Sequence, residues 1–293
     1  YRLFASHNTV IVNGSSQGEG GWVNLAINTV QKKAMEPMAG IQPVSENYSF
    51  TVSGFTDDKG DGAEAEQERT LGIIRTSPTT GYYVDIFRSE SKLPNQFHDY
   101  VYHNIGDTLI FSTTNNDFVL KRDEERFKYA QNKEWKKNDT YRNPGWHYFS
   151  AVQSSSKFEK DLQALFVASS LGRQPVNMKL FIAADKSREY TKALAPPSTE
   201  SVNAYEKRPT PVLIIRKNGS AWDNPFAIVY ESFSGNKGEG SVKSVKSIIQ
   251  GGKFKGIVVN SIVNGAAIKQ VIISQDSDDG TFEDKALKLK FTG

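Results

Sequence analysis

Histidine is the residue type in this sequence best suited to metal binding or proton transfer, and four are present: His7, His98, His103 and His147. His98 and His103 flank Asp99-Tyr100-Val101-Tyr102, which has the composition of a β-strand. In an extended strand these two histidines point to opposite faces, so one metal ion could use one of them and not both. Together with His7 and an oxygen ligand from another strand, one of them could hold zinc. The alternative is that each histidine is hydrogen-bonded, partly buried and binds nothing.

Other common chemistries are excluded by residue type or spacing. The chain has no cysteine, which excludes a disulfide scaffold, a cysteine-ligated zinc site and a cysteine nucleophile. It has no Gly-x-Ser-x-Gly turn of a serine hydrolase, and its glycine-rich stretch at residues 14–21 matches no phosphate-binding fingerprint.

The charge balance narrows the class of partner. With 36 basic and 33 acidic residues, the net charge of +3 is too small to predict binding to nucleic acid or to an anionic membrane surface. A local basic patch could still meet an acidic polymer. No apolar run approaches the roughly 20 residues that cross a bilayer, so no membrane span is predicted.

The elements that must position these residues are predicted to be strands. Short β-branched or aromatic runs alternate with Gly, Pro, Asn, Asp or Ser along the whole chain, for example at 9–12, 48–52, 82–87, 212–215 and 226–230. The connections are too short for crossover helices, which predicts an all-β fold, a large antiparallel β-sandwich of the two-sheet super-sandwich type. We predict one domain over residues 1–293, with long loops at 121–137 and 195–211.

Two segments resemble a known family. Residues 6–14, Ser-His-Asn-Thr-Val-Ile-Val-Asn-Gly, are similar to the opening of the C-terminal β-sandwich of heparinase II/III-like polysaccharide lyases. Residues 81–88, followed by His-Asp-Tyr at 98–100 and His-Asn-Ile-Gly at 103–106, resemble the next shared segment of that family. A weaker similarity covers residues 222–231.

The resemblance implies a function. Such lyases join an N-terminal helical toroid to this sandwich and cleave uronic-acid-containing glycans by β-elimination in the cleft between them. The chain opens Tyr1-Arg2-Leu3 without a methionine or leader, so we expect a piece of a longer secreted or periplasmic protein. We expect its partners to be an acidic polysaccharide and a helical domain that this chain lacks, and we expect the chain alone to be inactive.

The resemblance also implies site residues. The metal ligands map to His7 and His98, and the middle ligand, commonly Asp, maps to Asn24, whose neutral amide oxygen holds a dication less strongly. The expected cofactor is therefore zinc or another divalent metal. The resemblance implies that the catalytic tyrosine and a histidine or asparagine come from the helical domain, so no catalytic residue is assigned here. Relatives often carry a further catalytic histidine two positions before the motif histidine, where this sequence has Ala5. The predicted substrate-binding residues are Asn8, Tyr102 and His103.

Two alternatives remain open at this point. The chain could be a non-catalytic carbohydrate-binding or structural sandwich that kept the fold and lost the chemistry, which Ala5 and Asn24 favour. Alternatively, the parent protein could hydrolyse glycans, which would require a pair of acidic residues that the sequence does not identify.

Overall fold

The computed structural model describes residues 3–16, 29–57, 63–131, 143–197, 207–235, 240–274 and 281–292. Asn24 lies outside these ranges. The described residues form β-strands and three short 3₁₀ turns at Phe4–Ser6, Lys128–Gln131 and Trp146–Tyr148, with no α-helix among them. None of these turns has the length and hydropathy of a transmembrane span. The prediction of an all-β sandwich is confirmed.

The smaller of two large sheets has six strands. In spatial order they are β1 (Thr9–Val12), β6 (Phe97–His103), β13 (Thr210–Asn218), β12 (Arg188–Ala195), β9 (Ser150–Ser154) and β8 (Lys121–Arg122). All neighbouring pairs are antiparallel. Because β1 is an edge strand, the segment that precedes it lies at the border of this sheet.

The larger sheet has eight strands. In spatial order they are β2 (Gln31–Glu36), β3 (Tyr48–Thr56), β4 (Ala65–Arg75), β5 (Gly81–Ser91), β14 (Phe226–Ser234), β11 (Val176–Ile182), β10 (Leu162–Ala168) and β7 (Thr108–Ser112). These pairs are also antiparallel.

A third sheet covers the far face of the eight-stranded sheet, which the two-sheet prediction did not anticipate. It consists of β15 (Val242–Gln250), β16 (Lys253–Val263) and β17 (Ala266–Ile273), and a hairpin of β18 (Thr281–Asp284) and β19 (Leu289–Thr292) comes after it in the chain. Val245, Ile257 and Val259 of this sheet pack with Val84 and Val229 of the eight-stranded sheet. The chain is therefore layered three sheets deep along β5 and β14.

This layering explains the run of apolar residues at 226–230. Alternate residues of a strand point to opposite faces. Phe226 and Ile228 face the core between the two large sheets, whereas Ala227 and Val229 face the third sheet. A strand covered on both faces has no solvent side, so no polar alternation is needed.

The outer face of the six-stranded sheet is also covered, in part by residues 123–131, which belong to the segment predicted to be a long loop, and in part by residues 143–149. Phe127 and Trp146 stack at 4.7 Å between ring centroids and pack against Val101 and Ile214. The indole of Trp146 donates to the Gly14 carbonyl at 3.0 Å. This cover fixes the chain around β1 and β6, where the predicted site residues lie.

Candidate functional site

His7, Asn8 and His103 lie at one corner of the six-stranded sheet. β1 and β6 pair with Thr9 opposite Val101, and Asn8 extends that pairing through its side chain. The Asn8 Nδ2 donates to the His103 carbonyl at 3.3 Å, and the His103 backbone N–H donates to Asn8 Oδ1 at 2.7 Å. The structure therefore brings together two of the predicted substrate-binding residues, with the exposed His7 beside them.

The His103 ring is held at this corner by the backbone. Its Nε2 donates to the Ala5 carbonyl at 2.7 Å, which leaves Nδ1 as the acceptor nitrogen of the neutral ring. Burial lowers the pKa of His103; the hydrogen bond to Ala5 acts in the opposite direction, and nearby His7 adds to the lowering. Ala5, at the position where the family resemblance implies a histidine, thus contributes its backbone carbonyl to the site.

His98 lies at the opposite end of β6, where it pairs with Val12. The side chain is fully buried, with Nδ1 2.9 Å from Ser89 Oγ and Nε2 2.9 Å from Gln96 Oε1. The amide oxygen of Gln96 can only accept, so Nε2 carries the proton and Nδ1 accepts from the serine hydroxyl. Burial lowers the pKa of His98 to about 4, and both ring nitrogens are already hydrogen-bonded to protein groups.

The structure does not bring His7 and His98 together. Val12 opposes His98 and lies five residues after His7, which places the two histidines roughly 15 Å apart along the strands. Across the described ranges, no group of three or more His, Cys, Asp or Glu side chains could hold a metal ion. The described residues therefore do not fit the predicted zinc site; Asn24 lies outside them, and the metal stays a prediction.

A groove lies where the eight-stranded sheet extends past the edge strand β1. Its volume is about 530 Å³, within the range of ligand sites. The floor is formed by inward-facing residues of β4 and β5, and the predicted substrate-binding residue Tyr102 lines it together with Tyr230 and Met178. Leu71, Ile73 and Tyr83 are large apolar or aromatic residues that remain exposed there.

One end of the groove is polar. Arg69 donates to both carboxylate oxygens of Asp85, from Nε at 3.0 Å and from Nη2 at 2.7 Å, and its Nη1 donates to the Asn8 carbonyl at 2.9 Å. The Tyr100 hydroxyl donates to Asp85 at 2.7 Å and forms a short hydrogen bond with the Tyr230 hydroxyl. Arg69 thereby connects the predicted residue Asn8 to the groove.

Electrostatics keep this network in one protonation state at neutral pH. For Arg69, burial works against the charged form, but the charge and hydrogen bonds of Asp85 outweigh it and raise the pKa. Burial and then the Asp85 charge raise the pKa of Tyr100, and burial together with the Tyr100 and Asp85 charges raises that of Tyr230. Arginine is therefore cationic and both tyrosines are neutral.

Sequence reasoning missed Arg69 and Asp85 as site residues, although a signal was present. Asp85 stands inside the apolar strand run Tyr82–Phe87, and its side chain points to the same face as Tyr83 and Phe87. A charged residue on a face that is otherwise packed needs a partner. Arg69 is that partner, and its position opposite Phe87 follows only from the register of β4 and β5.

The tyrosines and the tryptophan that could stack on sugar rings fall into a buried group and an exposed group. Tyr82, Tyr100 and Trp146 are buried in the core, whereas Tyr83 is 45% exposed in the groove and Tyr148 is 55% exposed elsewhere. Tyr83 lines the groove, and so does the exposed Phe50.

Comparison with known proteins finds similarity to a polysaccharide lyase. It is 41% identical over 298 residues to an endo-acting ulvan lyase of Formosa agariphila, a match that covers 100% of this chain and 35% of that protein. Residues 242–293 match the family model described as the endo-acting ulvan lyase C-terminal domain. The chain is therefore similar along its whole length to part of an ulvan lyase, and it spans about a third of the length of this relative.

The family match begins at the first residue of β15 and so corresponds to the third sheet and the final hairpin. Among solved structures, heparinase III is similar over 93% of this chain and 30% of its own, with a TM-score of 0.46 and 11% identity. The heparan sulfate lyase HepC from Pedobacter heparinus is similar over 91% and 30%, with a TM-score of 0.40 and 10% identity. At these values no functional residue is carried over from either structure.

Proposed function

We propose that the parent protein cleaves uronic-acid-containing polysaccharide by β-elimination and that this chain forms the sandwich side of its substrate cleft. The observation that carries the proposal is the 41% identity to an endo-acting ulvan lyase along the whole chain. Ulvan is accordingly the first substrate to test. A secreted or periplasmic location belongs to the same proposal.

The chemistry of β-elimination supports a division of labour within the parent. The reaction needs a base to remove the proton α to the carboxylate, positive charge to stabilise the developing anion, and an acid for the leaving oxygen. Near the groove, Arg69 is cationic, while Tyr100 and Tyr230 hold their protons too firmly to act as a base at neutral pH. We therefore propose that the base comes from a helical domain in the remainder of the parent and that this chain alone is inactive.

One observation favours a second candidate function, a carbohydrate-binding module without chemistry. Both ring nitrogens of His98 are hydrogen-bonded to Ser89 and Gln96, so this ring is neither a free base nor an open metal ligand. Under this alternative the groove would hold glycan, and the parent would cleave none.

The test is to assay the full-length protein and the 293-residue chain on ulvan, following the ultraviolet absorbance of the unsaturated uronate that elimination creates. We expect activity from the full-length protein and none from the chain alone. New reducing ends without the unsaturated product would indicate hydrolysis instead. Binding of ulvan by an inactive full-length protein would establish the binding module.

A further inference from the structure

We infer that Arg69 is the residue of this chain that recognises an acidic group of the polysaccharide, and that the groove floor beside it holds the adjoining sugar rings. The inference rests on the proposed function and identifies Arg69 as the residue that binds an acidic group of the proposed substrate. The ligand chemistry is a planar or tetrahedral oxyanion, which on a polysaccharide is either a carboxylate or a sulfate ester.

Arg69 has more N–H donors than its protein partners use. An arginine side chain carries five N–H donors. Nε and one N–H of Nη2 donate to Asp85, and one N–H of Nη1 donates to Asn8. Among the described residues, two donors remain, one on each terminal nitrogen. A pair of N–H groups on adjacent nitrogens matches the two oxygens of a carboxylate or sulfate.

In the Arg69–Asp85 ion pair, the guanidinium is the more exposed partner. The Asp85 side chain is 2% exposed and that of Arg69 is 25% exposed, so a molecule in the groove meets the guanidinium before the carboxylate. Asp85 is held by Tyr100, and the guanidinium also lies over the Phe87 ring, 5.1 Å from its centroid. Arg69 is therefore fixed before any ligand arrives, which reduces the entropy lost on binding.

The floor of the groove beside Arg69 is apolar and aromatic. Ile73 pairs with Tyr83 across β4 and β5, and Leu71 lies between them and Arg69 on the same face. From Arg69 to Ile73 the strand advances roughly 13 Å, longer than one sugar ring. Exposed tyrosine offers a ring face for the apolar side of a sugar and a hydroxyl for its polar edge. The other carboxylate of the groove, Glu36, accepts the Val44 backbone N–H at 2.6 Å on the far wall.

Binding to the isolated chain tests the inference without requiring cleavage. Affinity is measured by titration calorimetry with three defined polymers: polygalacturonate, which carries carboxylates; dextran sulfate, which carries sulfates; and neutral dextran. The variants are Arg69→Gln, Arg69→Lys and Tyr83→Ala, and Arg122→Gln on the distant edge strand β8 is the matched control for loss of one positive charge. Thermal unfolding of each variant shows that it is folded.

We expect the chain to bind at least one anionic polymer more tightly than dextran, and the polymer bound identifies the acidic group. Arg69→Gln should weaken binding by about tenfold to a hundredfold, since it removes a charge-assisted pair of hydrogen bonds. Arg69→Lys, which still pairs with Asp85, should lose most of the same affinity because a single ammonium cannot make the paired contact. Arg122→Gln should bind like wild type.

Two results would overturn the inference. One is that folded Arg69→Lys and Arg69→Gln bind as tightly as wild type, or lose no more affinity than Arg122→Gln. The other is that the wild-type chain binds neither anionic polymer better than dextran. The proposed lyase activity of the parent would survive either result, because the ultraviolet assay on the full-length protein measures it separately.

Discussion

Arg69 and Asp85 form a bidentate ion pair at the rim of the core, with hydrogen bonds of 3.0 and 2.7 Å from the guanidinium to the two carboxylate oxygens. The pair lies on adjacent strands, and the Asn8 carbonyl binds the same guanidinium. Arg69 therefore connects the residue before edge strand β1 to the polar end of the groove on the eight-stranded sheet.

Removing the charge of Asp85 should destabilise the fold. In Asp85→Asn the arginine charge remains, partly buried, without its counter-ion, and the free energy of unfolding should fall by about 3 kcal/mol. Urea unfolding measures the change. Glu124→Gln is the matched control, since Glu124 pairs with Arg122 at an exposed site where both side chains are more than half exposed. That control should change stability little, and equal effects in the two variants would contradict the prediction.

His98 should make stability depend on pH in the mildly acidic range. Its pKa is about 4 in the folded chain against 6.5 in the unfolded chain, because burial favours the neutral ring. The folded state then binds fewer protons, so the contribution is complete above pH 6.5 and is lost as the pH falls towards 4. Its size is about 3 kcal/mol.

The measurement for His98 is the free energy of unfolding from about pH 7 to about pH 4, in wild type and His98→Gln. Other carboxylates titrate in this range, so the difference between the two pH curves isolates the histidine. His7→Gln, at an exposed position, serves as the control and should follow wild type. Parallel curves for wild type and His98→Gln would show that His98 does not carry the effect.

Metal analysis tests whether the predicted zinc site binds zinc. Because His98 is hydrogen-bonded at both nitrogens and lies far from His7, we expect no zinc that is bound stoichiometrically and lost in both His7→Ala and His98→Ala. Plasma emission spectrometry of the purified chain measures the zinc content. Stoichiometric zinc that disappears in both variants would establish His7 and His98 as ligands and contradict this expectation.

Glu231 should hold the third sheet on the sandwich. It is buried, and its Oε1 accepts the backbone N–H of Ser241 at 2.6 Å while Oε2 accepts that of Val242 at 3.1 Å, at the start of β15. Glu231→Gln removes the charge that strengthens these bonds and should cost about 1 to 3 kcal/mol.

Hydrogen exchange of the β15 amides measures the Glu231 effect and should show faster exchange there than in β6. The control is Glu283→Gln, an exposed residue of the final hairpin, which should leave β15 unchanged. Uniform acceleration across all strands in Glu231→Gln would indicate global destabilisation rather than release of the third sheet.

The sequence by itself determined the class of fold. Strand-length apolar runs ended by turn residues predicted an all-β sandwich because alternation and turn chemistry are local properties. The segment at 6–14 and those at 81–88 and 98–106 likewise indicated the lyase family before any geometry was known. The run at 226–230 was predicted to be a strand, but the third sheet that covers its second face was not predicted.

Only the tertiary structure decided which residues share a site, because strand register and sheet order are set by packing between distant segments. The family resemblance predicted His7 and His98 as ligands of one metal ion. The pairing of Val12 with His98 instead places His98 at one end of the β1–β6 pair and His7 near the other end. Arg69 and Asp85 lie 16 residues apart in the chain, and the antiparallel register of β4 and β5 brings them together. A charged residue in a strand indicates that a partner exists; the fold alone specifies which one.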